Sequence, residues 1–285
     1  MTIAMRWRRG PHVGQRRRES LPTWIWLAGG LCLTAAAAPP AQRDWPAYGG
    51  GPAAIRYSPL AQITPANVKR LRVAWTYDSG EEGGLQTNPI VVGRTLYTTT
   101  PLHKTVALDA ATGAVRWTFD SGLTSRGPNR GVTYWTDGRS ARIFAAADHF
   151  LYALDAETGT PIETFGRAGR IDLHEGLGRP PELQSVRLTT PGVIYRDLLI
   201  IGGRVNEGLP ASPGDIRAID VRTGATRWTF KTIPAAGEAG AETWPSGARD
   251  ESGGANNWAG MAVDAARGIC PAWGARVSSS RRASG

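Results

Sequence analysis

The sequence predicts an all-β protein built from repeated four-stranded sheets. Its 285 residues include 36 glycines and 11 tryptophans. Helical periodicity is scarce, and short alternating apolar stretches are separated by turn residues. Residues 107–117 read Ala-Leu-Asp-Ala-Ala-Thr-Gly-Ala-Val-Arg-Trp, and residues 218–228 repeat this as Ala-Ile-Asp-Val-Arg-Thr-Gly-Ala-Thr-Arg-Trp. Repeats spaced by about 40 to 50 residues are typical of β-propeller blades, so a propeller is the predicted fold.

Each copy of the repeat predicts two antiparallel strands joined by a tight turn. Aspartate can accept hydrogen bonds from backbone groups ahead of it, glycine supplies a positive φ, and tryptophan offers a broad surface that packs on the neighbouring blade. A partial third copy, residues 153–159, lies between the other two, and Glu163 replaces its tryptophan, so we expect weaker docking there. One copy alone would also fit an ordinary hairpin. The repetition makes Asp109, Asp155 and Asp220 turn residues rather than catalytic carboxylates.

Residues 1–40 have the layout of a secretory signal. An arginine-rich start is followed by the apolar run 21–38 and by small residues. Ala35 and Ala37 satisfy the small-x-small rule for cleavage after Ala37. An uncleaved anchor that associates with the inner membrane is the alternative, because about 18 apolar residues approach the length that spans a bilayer. The body of the chain is therefore expected in the periplasm.

The net charge of +9 does not predict a nucleic-acid partner. Six arginines and one glutamate near the start supply +5, three arginines near the end supply +3, and the body keeps only +1. A nucleic-acid site needs a basic stripe or groove on the folded body. The sequence therefore indicates no nucleic-acid binding.

Cysteine and histidine give no catalytic or metal-binding pattern. Cys32 and Cys270 lie in the predicted signal and in the final segment, so the body has no disulfide framework, thiol nucleophile or cysteine-based zinc site. The histidines show no metal-ligand spacing, and those in the body are interpreted as solvated or satisfied loop residues. The four histidines are His12, His103, His149 and His174.

Along the body, short predicted strands alternate with Gly, Pro or Asp turns. The first is the alternating stretch 71–77. The others are residues 90–100, 105–109, 116–119, 142–147, 150–155, 193–202, 216–220, 227–230 and 261–269. Residues 166–181 and 234–254 are predicted to be long loops, which in compact folds are usually functional or disordered. At about 45 residues per blade, residues 45–269 are expected to hold about five blades.

The strand pattern stops after residue 269. Residues 270–285 show no alternation and have a Ser- and Arg-rich end. The predicted organisation is therefore a signal or anchor over residues 1–40, a partial propeller over residues 41–269 and an aberrant tail over residues 270–285.

Five further segments occur in a set order: residues 44–49 (Asp-Trp-Pro-Ala-Tyr-Gly), 71–77 (Leu-Arg-Val-Ala-Trp-Thr-Tyr), 86–89 (Gln-Thr-Asn-Pro), 129–132 (Asn-Arg-Gly-Val) and 253–258 (Gly-Gly-Ala-Asn-Asn-Trp). Together with the docking repeats they resemble the pyrroloquinoline-quinone-dependent (quinoprotein) alcohol and glucose dehydrogenases. The docking repeat is shared with non-enzymatic propellers, whereas the ordered set is more specific. The resemblance implies an eight-bladed propeller that binds pyrroloquinoline quinone (PQQ) and calcium in a central funnel. It also implies oxidation of a sugar or alcohol hydroxyl, with electrons passed to a quinone or cytochrome.

The resemblance also implies site residues. Arg130 matches a guanidinium that contacts the anionic groups of the cofactor, Gln86 a group that hydrogen-bonds a cofactor carboxylate, and Thr189 a hydroxyl donor. Trp258 matches an indole that lies flat on the cofactor ring, and Glu207 matches a calcium ligand, since hard cations prefer carboxylate oxygen. The alternative is that these are ordinary loop, packing and surface residues.

Two departures from the family pattern matter. Adjacent cysteines of the alcohol-oxidising branch are replaced by Thr124 and Ser125, which favours a sugar- or polyol-oxidising branch. A calcium-ligating asparagine and a general-base aspartate, which the family carries beyond the position of Ile269, have no match here. We therefore expect the chain to be the N-terminal part of such an enzyme and inactive by itself.

A non-enzymatic function is the competing hypothesis. An exported scaffold propeller that binds protein partners would need the docking repeats but not the cofactor-like segments. Convergence of Gln86, Arg130, Glu207 and Trp258 on one axial cavity would favour the enzyme lineage, and their scattering over blade rims would favour the scaffold.

Overall fold

A computed structural model describes residues 44–206, 208, 211–271 and 277–278. Within this part the chain is almost entirely β, with three four-stranded antiparallel sheets that do not close into a ring. This confirms the predicted partial propeller. The predicted signal segment and residues 272–276 and 279–285 of the predicted tail lie outside the described residues. Among the described helices, none has the length and apolar character needed to cross a membrane.

The first sheet is a simple meander. It consists of β1 (Ile90–Val92), β2 (Thr95–Thr99), β3 (Thr105–Asp109) and β4 (Val115–Phe119), which pair in chain order. Trp45 adds a backbone bridge to the free edge of β1. The start of the described part of the chain is therefore attached to the edge of the first sheet.

The second sheet has the same topology. It consists of β5 (Thr133–Thr136), β6 (Ala141–Ala147), β7 (Phe150–Asp155) and β8 (Arg170–Asp172). The last strand lies inside the predicted loop 166–181, so that part of the loop prediction is wrong. β8 is only three residues long, and it forms a strand because it pairs with β7. A local sequence pattern does not reveal such a pairing.

The third sheet carries an additional strand pair. In chain order the strands are β9 (Val186–Arg187), β10 (Val193–Tyr195), β11 (Leu198–Ile201), β12 (Arg204–Val205), β13 (Ile216–Asp220) and β14 (Thr226–Phe230). The sheet order is β10-β11-β13-β14, whereas β12 pairs with β9. The segment before the sheet is thus held to the connection between its second and third strands.

Short elements complete the described part. The 3₁₀ helices are Val68–Arg70, Pro181–Leu183 and Ala241–Thr243, and a single α-helical turn spans Ala248–Glu251. A last strand pair joins β15 (Gly253–Gly254) to β16 (Val277–Ser278). The predicted loop 234–254 therefore contains two short helices and ends in a strand.

Two predicted strands and the blade count are corrected. Residues 71–77 form no strand, because no described strand lies beside them, and Leu71 and Val73 are exposed. Residues 261–269 form isolated bridges and a turn, closed by the bridge between Asp264 and Ile269, rather than a strand. About five blades were expected, but the described part contains three four-stranded sheets. The estimate divided the chain length by about 45 residues per blade, and it therefore counted long loops as blades.

Apolar residues of alternate strand positions pack the sheets face to face. Along β6, Ile143, Ala145 and Ala147 lie in the core shared with the first sheet, whereas Phe144 and Ala146 lie in the core shared with the third sheet. Alternation of this kind follows from the pleat, which points successive side chains to opposite faces. The second sheet is therefore buried on both faces, as expected of an inner blade.

The Asp-x-x-Thr-Gly turns have the predicted geometry. Asp109 Oδ1 accepts hydrogen bonds from the backbone N–H groups of Ala111 (3.0 Å) and Thr112 (3.2 Å), and the turn glycine has φ 74°. Asp155 and Asp220 make equivalent bonds at 2.9–3.0 Å. Oδ1 of each carboxylate is thus held by local backbone donors, which confirms their assignment as turn residues.

Tryptophan docking links neighbouring repeats. Trp75 Nε1 donates to the carbonyl of Ala110 at 3.2 Å, and Trp117 Nε1 donates to that of Ala156 at 3.1 Å. The rings lie on the turn glycines, since a Cβ added to Gly113 would be 2.5 Å from the Trp75 ring. Each of these two turns is therefore covered by an indole from the preceding repeat.

The third turn is held differently, because Glu163 is exposed and none of the described indoles lies on the turn glycine Gly224. Gly166 N–H donates to the carbonyl of Thr223 at 2.8 Å. The Arg142 guanidinium donates to the carbonyl of Val221 at 2.9 Å. Backbone and arginine hydrogen bonds thus replace the missing tryptophan.

Candidate functional site

The segments that lead into successive repeats are hydrogen-bonded to one another. Asn88 N–H donates to the carbonyl of Arg130 at 3.1 Å, and Arg130 N–H donates to the carbonyl of Thr189 at 3.0 Å. Thr190 Oγ1 then donates to the carbonyl of Trp258 at 2.6 Å. These contacts bring four segments, far apart in sequence, onto one continuous surface, which we call the entry surface.

Glycine permits the closest of these approaches. Gly131 has φ 121°, and a Cβ at this position would lie 2.8 Å from the carbonyl oxygen of Asn88. A larger residue would therefore separate the first two segments of the entry surface. The Asn-Arg-Gly sequence thus combines a functional side chain with the glycine that positions it.

Arg130 and Trp258 are in direct contact at this surface. The guanidinium carbon lies 5.4 Å from the centroid of the Trp258 ring, a cation–π distance. Arg130 Nη1 donates to the Thr190 hydroxyl at 3.3 Å and to the carbonyl of Thr189 at 3.4 Å. Among the described residues no carboxylate forms an ion pair with Arg130. The guanidinium is thus oriented by neutral oxygens and an indole, an arrangement able to receive an anion.

Two polar side-chain atoms near this contact are buried without a hydrogen bond. They are Thr189 Oγ1 and Asn257 Nδ2, in residues that are 4% and 6% exposed. Native proteins satisfy nearly all buried polar groups, so such atoms often mark a ligand site. Both can donate a hydrogen bond, and they flank Arg130 and Trp258 in the chain of contacts.

Sequence reasoning missed Asn257. It lies in the segment Gly-Gly-Ala-Asn-Asn-Trp, from which only Trp258 was selected. Its carbonyl accepts the N–H of Gly203 at 3.0 Å, and its Oδ1 accepts the N–H of Gly260 at 3.1 Å. These bonds fix the side chain with the amide nitrogen unpaired. Adjacent asparagines beside the selected tryptophan were the available signal.

Gln86 and Glu207 are not placed with the other predicted site residues. The Gln86 side chain is exposed and makes no hydrogen bond within the described part of the chain. It nevertheless lies two residues before Asn88, which belongs to the entry surface. Glu207 lies outside the described residues. In the sequence it follows β12, whose partner β9 ends two residues before Thr189. The assignments of all five residues stay predictions.

Ser125, one of the two cysteine replacements, organises a buried network. Its hydroxyl accepts the N–H of Asp148 at 3.0 Å and bonds His103 Nδ1 at 2.6 Å, and His103 Nε2 lies 3.1 Å from the carbonyl of Gly127. A carbonyl only accepts, so the proton is on Nε2 and Ser125 donates to Nδ1. Burial lowers the pKa of His103, which agrees with a neutral ring. The predicted satisfied loop histidine is confirmed here.

A family model described as "PQQ: Glucose/ethanol/alcohol dehydrogenase, beta-propeller domain" matches residues 45–270. The chain belongs to this family. The match covers the three sheets and the whole entry surface. It confirms the resemblance drawn from the ordered segments.

Curated relatives and solved structures agree with this assignment. The chain is 33% identical over 267 residues to quinoprotein glucose dehydrogenase A of Acinetobacter calcoaceticus, covering 79% of this chain and 32% of that protein. It is 31% identical to the glycerol dehydrogenase large subunit of Gluconobacter thailandicus, covering 81% and 34%. The crystal structure of quinohemoprotein alcohol dehydrogenase from Comamonas testosteroni matches with a TM-score of 0.65 and 30% identity, covering 78% and 34%. The chain thus spans about a third of the length of these relatives.

Proposed function

We propose that this chain forms part of the cofactor-binding surface of a PQQ-dependent dehydrogenase. The observation that carries the proposal is the entry surface, where an arginine without a described carboxylate partner contacts a half-exposed indole beside two buried, unpaired donors. Arg130 and Trp258 are two of the four residues whose convergence would favour the enzyme lineage, and their contact supports the proposal. A scaffold propeller would give no reason for these side chains to meet.

The residues present fit PQQ by their chemistry. PQQ is a flat, anionic quinone that carries carboxylates, and when bound it supplies the two-electron oxidation of a hydroxyl-bearing carbon. Arg130 would hold a carboxylate, because its guanidinium is always charged and planar. Trp258 would cover the flat ring, and Thr189 Oγ1 and Asn257 Nδ2 would donate to cofactor oxygens. Gln86 would add a further donor from the exposed segment before Asn88.

Glu207 would supply a carboxylate oxygen to a calcium ion next to the cofactor. The support is its place in the sequence, two residues after β12, which pairs with the strand β9 that ends two residues before Thr189. A bound cation would also hold the negatively charged oxygens of the cofactor. Calcium therefore belongs to the proposal and should increase PQQ affinity.

We further propose a sugar or polyol hydroxyl as substrate and a quinone or cytochrome as electron acceptor. Relatives named for glucose and glycerol support this class, as does the presence of Thr124 and Ser125 where the alcohol-oxidising branch has cysteines. A periplasmic location follows from the signal-like residues 1–40.

The test is PQQ binding by the full chain in the presence of calcium. Binding is monitored as quenching of tryptophan fluorescence. Arg130→Gln should weaken binding at least about tenfold, because a hydrogen bond to a charged group contributes about 1.5–3 kcal/mol. Arg126→Gln is the matched control, since Arg126 is exposed on the same segment and loses the same charge. Equal effects of the two substitutions, or no PQQ binding by the unmodified chain, would contradict the proposal.

We propose cofactor binding rather than turnover for this chain, which spans about a third of the length of its relatives. Aldose oxidation should be assayed with PQQ, calcium and an artificial electron acceptor. Saturable oxidation would overturn this part of the proposal while leaving the binding site intact.

A further inference from the structure

Two histidines and an aspartate that are not among the entry surface residues meet on the second sheet. His149 is in the turn between β6 and β7, Asp172 ends β8, and His174 follows two residues later. Leu173 N–H donates to the carbonyl of His149 at 2.9 Å, which holds the two segments together. The 23 and 25 residues that separate His149 from the other two explain why sequence spacing indicated no metal site.

The three side chains offer ligand atoms at short range. One candidate atom from each residue lies within 4.8 Å of those of the other two. The two imidazole rings are 4.5 Å apart between centroids, at an interplanar angle of 33°. The side chains are 29% exposed for His149, 12% for His174 and 29% for Asp172, so an ion can enter from solvent.

Carboxylates orient both rings. His149 Nδ1 lies 2.9 Å from Asp148 Oδ2, and His174 Nδ1 lies 3.0 Å from Asp172 Oδ1. In neutral His149 the proton is then on Nδ1, which leaves the Nε2 lone pair for a metal, whereas His174 would bind through Nδ1 with loss of the proton that it shares with Asp172. Asp148 is itself held by Arg187, whose Nη2 lies 3.0 Å from Asp148 Oδ1. A histidine supported by a separate carboxylate, as His149 is by Asp148, is typical of metal centres.

Asp172 retains one oxygen for a ligand. Its Oδ1 accepts the backbone N–H of His174 at 2.9 Å in addition to the ring N–H of the same residue. These two bonds use Oδ1 and leave Oδ2. A carboxylate oxygen and two imidazole nitrogens form a donor set that suits zinc and neighbouring divalent transition metals.

We propose that His149, Asp172 and His174 bind a divalent transition-metal ion, for which zinc is the reference. Zn–N bonds of about 2.0–2.1 Å place tetrahedral ligand atoms about 3.4 Å apart. The candidate ligand atoms lie within 4.8 Å of one another, so the longest separation must close by at most about 1.4 Å, which partly exposed side chains can make by rotation. The bound ion joins the β6–β7 turn to the end of the three-residue strand β8. It is a structural site, independent of PQQ and calcium.

Zinc binding by the full chain is the direct test, measured by calorimetry in excess calcium so that hard-cation sites are saturated. One zinc ion should bind per chain, and cobalt in its place should give the visible absorption of a low-symmetry site. His149→Gln and His174→Gln should each weaken zinc binding at least about tenfold, and Asp148→Asn should weaken it about tenfold through ring orientation.

Glu175→Gln is the matched control, since it removes an exposed carboxylate next to the cluster without touching the three ligands. It should change zinc affinity by less than about twofold. Circular dichroism checks the fold of each variant. Asp172→Asn is a third ligand variant, because its side-chain oxygen can still accept the backbone N–H of His174. The proposal is overturned if the unmodified chain binds no zinc, or if the folded ligand variants bind as tightly as Glu175→Gln, which would leave two ordinary Asp–His pairs.

Discussion

Thr189 carries a buried hydroxyl that no described group satisfies, while its backbone is fixed by Arg130. Thr189→Val replaces the hydroxyl by a methyl group of similar shape. We expect the cofactor-free chain to become more stable by about 1 kcal/mol, because a buried unsatisfied polar group costs about 1–3 kcal/mol. PQQ affinity should instead fall about fivefold, since a donor is lost. Urea unfolding and fluorescence titration measure the two effects.

Thr99→Val is the matched control. Thr99 Oγ1 is also buried without a partner, but it lies within β2 and not on the entry surface. The control should share the gain in stability and leave PQQ affinity unchanged. A loss of PQQ affinity in Thr99→Val, or none in Thr189→Val, would remove the hydroxyl from the proposed site.

His103 makes the stability of the fold depend on pH. Burial lowers its pKa below the ordinary 6.5, so in the folded chain it stays neutral at a pH where the unfolded chain binds a proton. The free energy of unfolding should therefore be fully maintained above about pH 6.5 and fall as the pH drops towards the folded pKa. His103→Gln should remove this component. Unfolding curves between about pH 5 and 7, recorded with a metal chelator, test it; parallel pH profiles of the two proteins would contradict it.

Individual site residues were predictable where a short motif carried them. Arg130 and Trp258 were found through Asn-Arg-Gly and Asn-Asn-Trp, and the structure brings them into contact. The three-residue cluster around His149 was not predictable, because strand pairing between β7 and β8 creates it. The local sequence does not predict that pairing.

Among structural elements, the docked indoles should differ in their contribution to stability. Trp117 is 8% exposed and hydrogen-bonded to Ala156, whereas Trp228 is 41% exposed. Trp117→Ala should lower the free energy of unfolding by about 3–5 kcal/mol, because it leaves a cavity and an unpaired carbonyl. Trp228→Ala should cost less than about 1 kcal/mol, as at other surface positions. Urea unfolding of the two variants gives the comparison; equal costs would mean that docking does not stabilise the repeats.

Turns were more predictable than strands for a physical reason. The Asp-x-x-Thr-Gly turn is satisfied by its own side chain and backbone, so its sequence determines its structure. Strands need partners. The stretch 71–77 has the alternation of a strand, but no described strand pairs with it. In contrast, β8 has little alternation and forms a strand because it pairs with β7.

At the scale of the whole molecule, two equivalent segments have different surroundings. Arg-Trp-Thr-Phe occurs in β4 and again in β14. In β4, Trp117 is buried and Phe119 packs against Tyr152 of the second sheet, with ring centroids 5.0 Å apart. In β14, the corresponding Phe230 is 61% exposed. The same segment is therefore covered by the next sheet in one blade and exposed in the other.

The exposed face of the third sheet should make the chain self-associate. Trp228 and Phe230 border an apolar cleft of about 650 Å³, and β14 is an edge strand. Exposed apolar surface beside an unpaired strand edge favours association between copies. Phe230→Lys should therefore reduce the concentration-dependent increase in sedimentation coefficient that we expect for the unmodified chain. Val115→Lys, an exposed position on β4 outside the cleft, is the control and should leave association unchanged. Association that persists in Phe230→Lys, or a monomeric unmodified chain, would show that this face does not drive contact between copies.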